Sequence, residues 1–410
     1  STLARQHPDW LLRAKSGRWA RAGFVWNSLP YALDLTHPEA LHYTREVIRT
    51  AVHEWGFPYL KLDFLYAAAL EGRYRDPTRT RAQVLHAGMA AIRAEAGEET
   101  FLLGCGLPLG SALGWVDAMR ISADVGEAWR PRFANLDFPF KNEWRMPSAR
   151  NAIQNSLTRV HLHRRWWIND PDCLLVRPDS NLTLAEVQTL AAVIGLSGGS
   201  LLLSDDLTHL PEERLRIAES LLPVSESPAW VVDWLDETTP RKIRVDLTGP
   251  AGRWQVLAWF NPSDTAQPFH FQPEEYHLPP GLYFARSFWD GQTVLTTTGE
   301  GVSLGIVPPH GTVVLAVRPR LEGQPQYLGS DLHITQGIEL AEWSPRADGL
   351  SLTLRLARQA SGEVELNLPS KPKTVRAGSR PVDWQALGDN RFQIPVQFEG
   401  EIQIEILYAE

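Results

Sequence analysis

The sequence predicts an α/β fold, a (β/α)8 barrel portion that is followed by antiparallel β-sandwich domains. From about residue 36 to 222, helical patterns alternate with short apolar runs, which is typical of a parallel sheet covered on both faces. Polar or acidic residues end all five of these runs, at the edge where a (β/α)8 barrel builds its active site. Beyond residue 224, apolar and polar residues alternate with period two, which indicates half-buried antiparallel strands.

Three helices are predicted in the first half of the chain. A capping-box pattern, a threonine with a glutamate three residues later, opens one helix at Thr36 and another at Thr183. A further helix is predicted from about Thr80 to Ala96. Gly56 and Gly97 follow the first two helices, and glycine is the residue that most often ends a helix.

The five apolar runs are predicted to be buried parallel strands. They are Tyr59–Phe64, Phe101–Cys105, Met119–Asp124, Trp166–Asp170 and Ser200–Asp206.

The second half of the chain is predicted to form two β-sandwiches. Prolines near residues 223 and 319 mark the boundaries, so the predicted domains are 1–223, 224–319 and 320–410. The period-two strands are 242–247, 254–260, 302–307, 312–318, 350–356, 363–368 and 401–407.

Composition excludes several classes of protein. The 410 residues carry a net charge of −8 without a basic stretch, so a nucleic-acid partner is not expected. No apolar run approaches the roughly 18 residues that a membrane span needs, so no membrane partner is expected either. Only two cysteines occur, Cys105 and Cys173, which argues against a disulfide framework and predicts a reducing, cytoplasmic location.

The most informative residues are two aspartates at the ends of predicted strands. Lys61 precedes Asp63 by two positions, and Arg120 precedes Asp124 by four. A cation beside one carboxylate keeps it ionised as a nucleophile, while a second carboxylate exchanges a proton. A lone aspartate at a strand end is more often a cap or a turn residue, so the pair and its cations carry the prediction of an enzyme.

The sequence resembles the α-galactosidases of glycoside hydrolase family 36 over about residues 5 to 222. The resemblance rests on four segments in the same order: Lys61–Tyr66, Leu103–Pro108, Arg120–Asp124 and Trp166–Cys173. It implies an exo-acting, retaining hydrolase of terminal α-galactosides such as raffinose-type sugars, without a cofactor or a metal ion.

The resemblance also implies a role for each candidate residue. Asp63 is the expected nucleophile and Asp124 the expected acid/base, while Lys61, Cys105 and Arg120 are expected to contact galactose hydroxyls. Asp170, at the end of its strand, is a further candidate for substrate binding. For both Asp170 and Asp172, the sequence leaves open a choice between lining the pocket and capping a turn.

One departure from the family concerns the start of the barrel. In the family, three strands precede the Lys-x-Asp strand, and the second of them carries acids that hold the galactose 4- and 6-hydroxyls. Here His7–Trp10 already resembles the stretch that follows the third strand. We therefore expect strands four to eight in this chain, and the remaining barrel segment in a longer chain or a second polypeptide.

Three alternatives stay open at this point. Galactosyl transfer, as in raffinose-type synthases, uses the same covalent intermediate. An α-N-acetylgalactosaminidase would need room at the sugar 2-position, against which Cys105 and Arg120 argue. An inactive sugar-binding piece would also fit an incomplete barrel. The sequence leaves homo-oligomerisation open.

Overall fold

A computed structural model describes residues 2–23, 28–132 and 142–409. The chain forms two compact units, one from Ser1–Arg120 with Arg164–Asp170 and the other from Ile121–His163 with Pro171–Glu410. The predicted domain boundaries at residues 223 and 319 remain predictions.

The first unit is built around a parallel sheet. Its helices are α1 (Thr2–Gln6), α2 (Pro38–Arg49), α3 (Arg81–Ala96) and α4 (Leu109–Ala112). Its strands, paired in chain order, are β1 (Tyr59–Leu62), β2 (Phe101–Gly104), β3 (Ala118–Arg120) and β4 (Ile168–Asp170).

The N-termini of α2 and α3 can be compared with the helix starts predicted from the sequence. The predicted start of α3 is confirmed, because Thr80 accepts from the Gln83 backbone and Gln83 accepts from the Thr80 backbone. The capping box predicted at Thr36 is wrong. His37 is the N-cap of α2, and its Nδ1 accepts from the Glu39 N–H at 3.3 Å, while the Thr36 N–H and hydroxyl both donate to Asp34.

The strand register aligns four reactive or charged residues at one edge of the sheet. Leu62 pairs with Gly104, Gly104 with Met119, and Met119 with Asn169. The residues one step further along the four strands therefore follow as a row at the carboxyl edge: Asp63, Cys105, Arg120 and Asp170.

Among its described residues, the second unit contains three α-helices and a short parallel ladder. The helices are α5 (Ala149–Arg159), α6 (Leu184–Ser197) and α7 (Glu212–Glu219). The ladder pairs β5 (Cys173–Leu174) with β6 (Leu202–Leu203). The capping box that predicted α6 is confirmed at Thr183 and Glu186. The five predicted strands thus divide between two parallel sheets, and closure of a barrel remains a prediction.

Each of the seven antiparallel strand ranges predicted for the second half of the chain overlaps an observed strand, and nine further strands were not predicted. The observed strands are β7 (Ala229–Val231), β8 (Lys242–Gly249), β9 (Gly252–Phe260), β10 (Gln267–Phe271), β11 (Leu282–Ser287), β12 (Thr293–Thr297), β13 (Val302–Val307), β14 (Thr312–Pro319), β15 (Gln326–Ser330), β16 (Leu340–Arg346), β17 (Gly349–Asn367), β18 (Pro372–Ala377), β19 (Arg380–Pro381), β20 (Gln385–Gly388) and β21 (Arg391–Tyr408).

A six-stranded sheet, in the order β12-β11-β14-β9-β8-β7, has two apolar faces. Val256 and Ala258 of β9 lie in one core with the buried face of α6. Leu257, which points to the opposite face, lies in another core with Phe269 and Phe271 of the two-stranded β10-β13 sheet. The period-two alternation predicted from the sequence therefore serves two separate cores.

The last strands form a seven-stranded sheet centred on β17 and β21. The two strands predicted at 350–356 and 363–368 are one strand, β17, with a register shift between Leu356 and Gln359. Apolar residues from both halves of β17 share one core, so the bulge bends a single strand across it. Within the described ranges, no helix combines the length and the apolar character needed to cross a membrane.

Candidate active site

The carboxyl edge of the β1–β4 sheet gathers five of the six predicted site residues. Asp63 follows β1 directly, and Lys61 lies two residues earlier, so the two side chains share a face of the strand. Both residues are exposed, whereas Cys105 and Arg120 each keep 6% of their surface exposed. The edge therefore offers an exposed carboxylate and an exposed ammonium group beside a buried thiol and a buried guanidinium.

The turn after Asp63 has a constrained backbone. Phe64 has φ 54°, a left-handed conformation that costs a bulky residue about 1–3 kcal/mol. The Phe64 N–H donates to Asp63 Oδ1 at 2.7 Å, and the Tyr66 N–H donates to the Gly106 carbonyl at 2.7 Å. Gly106 has φ 57°, and a Cβ there would lie 3.3 Å from the Phe64 Cα. The two strand ends are thus fixed against each other, which orients the Asp63 carboxylate.

Cys105 provides a hydrogen-bond donor at the edge. Burial and a hydrogen bond to Asp63 raise the pKa of its thiol from 9.0 to about 12, although the nearby Arg120 charge acts in the opposite direction. The thiol is therefore protonated at neutral pH and can act as a donor to the Asp63 carboxylate. This state does not suit a nucleophile, since the thiolate is the reactive form of cysteine.

Arg120 and Asp170 form a buried ion pair. The Arg120 Nε lies 3.1 Å from Asp170 Oδ2, and the two side chains are 5% and 0% exposed. The Asp170 carboxylate is therefore closed to solvent at this edge. The contact fixes the guanidinium of Arg120, and contact of Asp170 with a substrate remains a prediction.

Asp124 lies in the second unit, on a loop. The predicted strand over Met119–Asp124 is wrong in its extent, because β3 ends at Arg120 and Ile121 is buried outside the strand ladder. The Asp124 carbonyl accepts from the Ser148 N–H at 3.1 Å. The next N–H, of Val125, donates to Asp172 Oδ2 at 2.7 Å.

Sequence reasoning gave no role to Ser148, because helix α5 was not predicted. Ser148 is fully buried, is the N-cap of α5, and accepts from the Asn151 N–H. A serine after a proline and before a polar helical stretch is an N-cap signal that could have revealed the helix.

Comparison with solved structures shows a likeness of fold to two glycoside hydrolases. The chain is similar to α-galactosidase I from Mortierella vinacea, with 18% identity and a TM-score of 0.52 over 73% of this chain and 75% of that chain. It is also similar to a β-L-arabinopyranosidase from Geobacillus stearothermophilus, with 16% identity and a TM-score of 0.55 over 77% of this chain and 68% of that chain.

A more similar sequence belongs to an α-galactosidase from Thermus thermophilus, solved in complex with p-nitrophenyl α-D-galactopyranoside. The identity is 33%, with a TM-score of 0.49, over 60% of this chain and 47% of that chain. The match thus spans about half the length of that relative. No protein-family model matches the sequence.

Proposed function

We propose that this chain carries the catalytic aspartates of a retaining exo-α-galactosidase related to glycoside hydrolase family 36. The observation that carries the proposal is the row of Asp63, Cys105, Arg120 and Asp170 at the carboxyl edge of a parallel sheet. An exposed carboxylate that lies near a neutral thiol and a lysine is suited to attack an uncharged sugar. The substrates would be terminal α-galactosides of raffinose-type oligosaccharides.

In the first step, an Asp63 oxygen attacks the anomeric carbon while the bond from that carbon to the leaving oxygen breaks. Asp124 gives its proton to the leaving oxygen. In the second step, the Asp124 carboxylate takes a proton from water, whose oxygen attacks the anomeric carbon and releases Asp63. Two inversions give net retention, for which the two carboxyl groups should lie about 5–5.5 Å apart.

The other residues of the edge would bind and orient the sugar. Lys61 is exposed next to Asp63 and can donate to sugar hydroxyls. Arg120 is fixed by Asp170, so its charge is preorganised before substrate binds. The step needs no redox chemistry and no metal ion.

A further barrel segment is part of the proposal. Strand β1 is the edge of the described four-stranded sheet, and no described strand pairs with its outer side. Trp55, Phe57 and Tyr59, in and just before β1, are 68%, 53% and 47% exposed. An aromatic, unpaired strand edge suits the addition of another strand, from a longer chain or a second polypeptide.

The test uses the polypeptide with any sequence that its gene encodes ahead of Ser1. Proton NMR of p-nitrophenyl α-galactoside hydrolysis should show α-galactose as the first product, with β-galactose appearing later by mutarotation. The Asp63→Gly variant should lose turnover of every α-galactoside. First formation of β-galactose would exclude the retaining mechanism, and an active Asp63→Gly variant would exclude Asp63 as the nucleophile.

A further inference from the structure

The peptide unit between Asp124 and Val125 is held at both of its polar atoms. The Ser148 N–H donates to the Asp124 carbonyl at 3.1 Å, and the Val125 N–H donates to Asp172 Oδ2 at 2.7 Å. Ser148 is fully buried and Asp172 is 7% exposed, so water competes little with either contact. The plane that joins Asp124 to the rest of its loop is therefore fixed.

Other contacts hold the same loop from the same segments. The Ser122 hydroxyl donates to the Pro171 carbonyl at 3.1 Å, next to Asp172. A Cβ on Gly126 would lie 3.0 Å from the Ser148 Cα, so the loop passes close to the start of α5. The loop from Ser122 to Gly126 is thus bound between segment 171–172 and the N-terminus of α5.

Asp172 has an unusual backbone for an aspartate. Its φ is 78°, in the left-handed region that aspartate, asparagine and glycine enter more readily than other residues. This conformation directs a buried carboxylate to one backbone N–H of the loop that carries Asp124. A residue with a short acceptor and tolerance of positive φ is needed at this position.

We propose that Asp172 is a positioning residue for Asp124, and this inference rests on the proposed function. Asp172 fixes the Val125 N–H, and through that peptide plane it fixes where the Asp124 carboxyl group can reach. Its contribution therefore matters where proton transfer to the leaving oxygen limits the rate. A purely structural contact would affect all substrates alike.

The test compares two substrates of the full-length enzyme, melibiose and an α-galactoside with a dinitrophenyl leaving group. Asp172→Gly keeps the left-handed backbone and removes the acceptor. Its kcat/KM for melibiose should fall about 100-fold, since misplacing a catalytic group costs about that much. Its kcat/KM for the activated substrate should fall less than about 10-fold, because that leaving group departs with little help from an acid.

A graded variant keeps the test decisive if the glycine protein folds poorly. Asp172→Asn also tolerates positive φ and retains an uncharged acceptor, so its ratio of the two kcat/KM values should lie between wild type and Asp172→Gly. Equal losses on both substrates, or an unchanged ratio in the asparagine variant, would overturn the inference.

Asp233 offers a matched control. It is also 7% exposed and accepts from two backbone N–H groups, of Arg241 and Lys242, at 2.8 and 3.0 Å. Asp233→Gly should lower Tm and leave the substrate ratio unchanged.

Asp124→Gly separates the two hypotheses. If that variant shows no dependence on the leaving group, the proposed role of Asp124 fails. If it shows the dependence and Asp172→Gly does not, only the positioning role fails.

Discussion

The ion pair between Arg120 and Asp170 shows how one buried residue at the site can act through another. A guanidinium with 5% exposure has lost most of its hydration, and Asp170 supplies the compensating charge at 3.1 Å. Asp170 therefore stabilises the charge of Arg120 as well as its position. The sequence indicated both residues through their strand ends, but it did not indicate that both side chains are buried.

We expect Asp170→Ala to lower the free energy of unfolding by about 3–5 kcal/mol, because it removes a buried carboxylate that pairs with a buried guanidinium. Urea unfolding measures this loss. The control is Glu401→Ala, which breaks the Arg355–Glu401 pair, whose side chains are 61% and 51% exposed. That variant should lose no more than about 1 kcal/mol. Similar losses in both variants would contradict the role of burial.

Because of Cys105, the stability of the protein should fall at alkaline pH. Its folded pKa of about 12 exceeds the ordinary value of 9.0, so the folded protein retains a thiol proton that the unfolded chain loses. The stabilisation is complete below about pH 9 and disappears as the pH rises towards 12. Relative to Cys105→Ser, the wild type should lose unfolding free energy between pH 8 and 10.5, as urea titrations would reveal. If the unfolding free energies of wild type and Cys105→Ser change with pH in parallel, the pKa of the thiol is not raised by folding.

At the scale of elements, the confirmed helix starts are those that local contacts determine. The capping boxes at Thr80 and Thr183 are formed by contacts three residues apart, so the sequence contains all of their geometry. The sequence predicts two strands in place of β17, because polar residues between Leu356 and Glu363 interrupt the apolar pattern. The bulge that accommodates them is set by pairing with β21, which is distant in the sequence.

Helix α6 depends on its first turn. Thr183 caps it, and Glu186 both completes the capping box and contacts His310 Nδ1 at 2.7 Å. Thr183→Ala should cost about 1 kcal/mol of unfolding free energy, the usual contribution of an N-cap side chain. Thr238→Ala, at an exposed bend of the same unit, should change stability by less than about 0.5 kcal/mol. Chemical denaturation compares the two, and an equal loss in both would contradict the capping role.

At the scale of the whole molecule, the exposed β1 edge should govern association. An unpaired strand that carries exposed aromatic residues is a template for pairing with another chain. The apparent molecular mass of the 410-residue chain, measured by light scattering, should therefore rise with concentration. Phe57→Lys should reduce this rise by adding charge beside the edge. A matching substitution on another surface, Leu321→Lys, should have little effect. Equal scattering by all three proteins would indicate that β1 is not the associating edge.

The ladder between β17 and β21 has a consequence for the order of folding. It runs from Asn367 paired with Arg391 to Gly349 paired with Leu407. The first pair closes a much shorter loop than the last, and loop-closure entropy grows with loop length. The ladder should therefore zip outwards from Asn367 and Arg391, pausing at the bulge after Leu356. Its outer end, at Gly349 and Leu407, would form last and fray first.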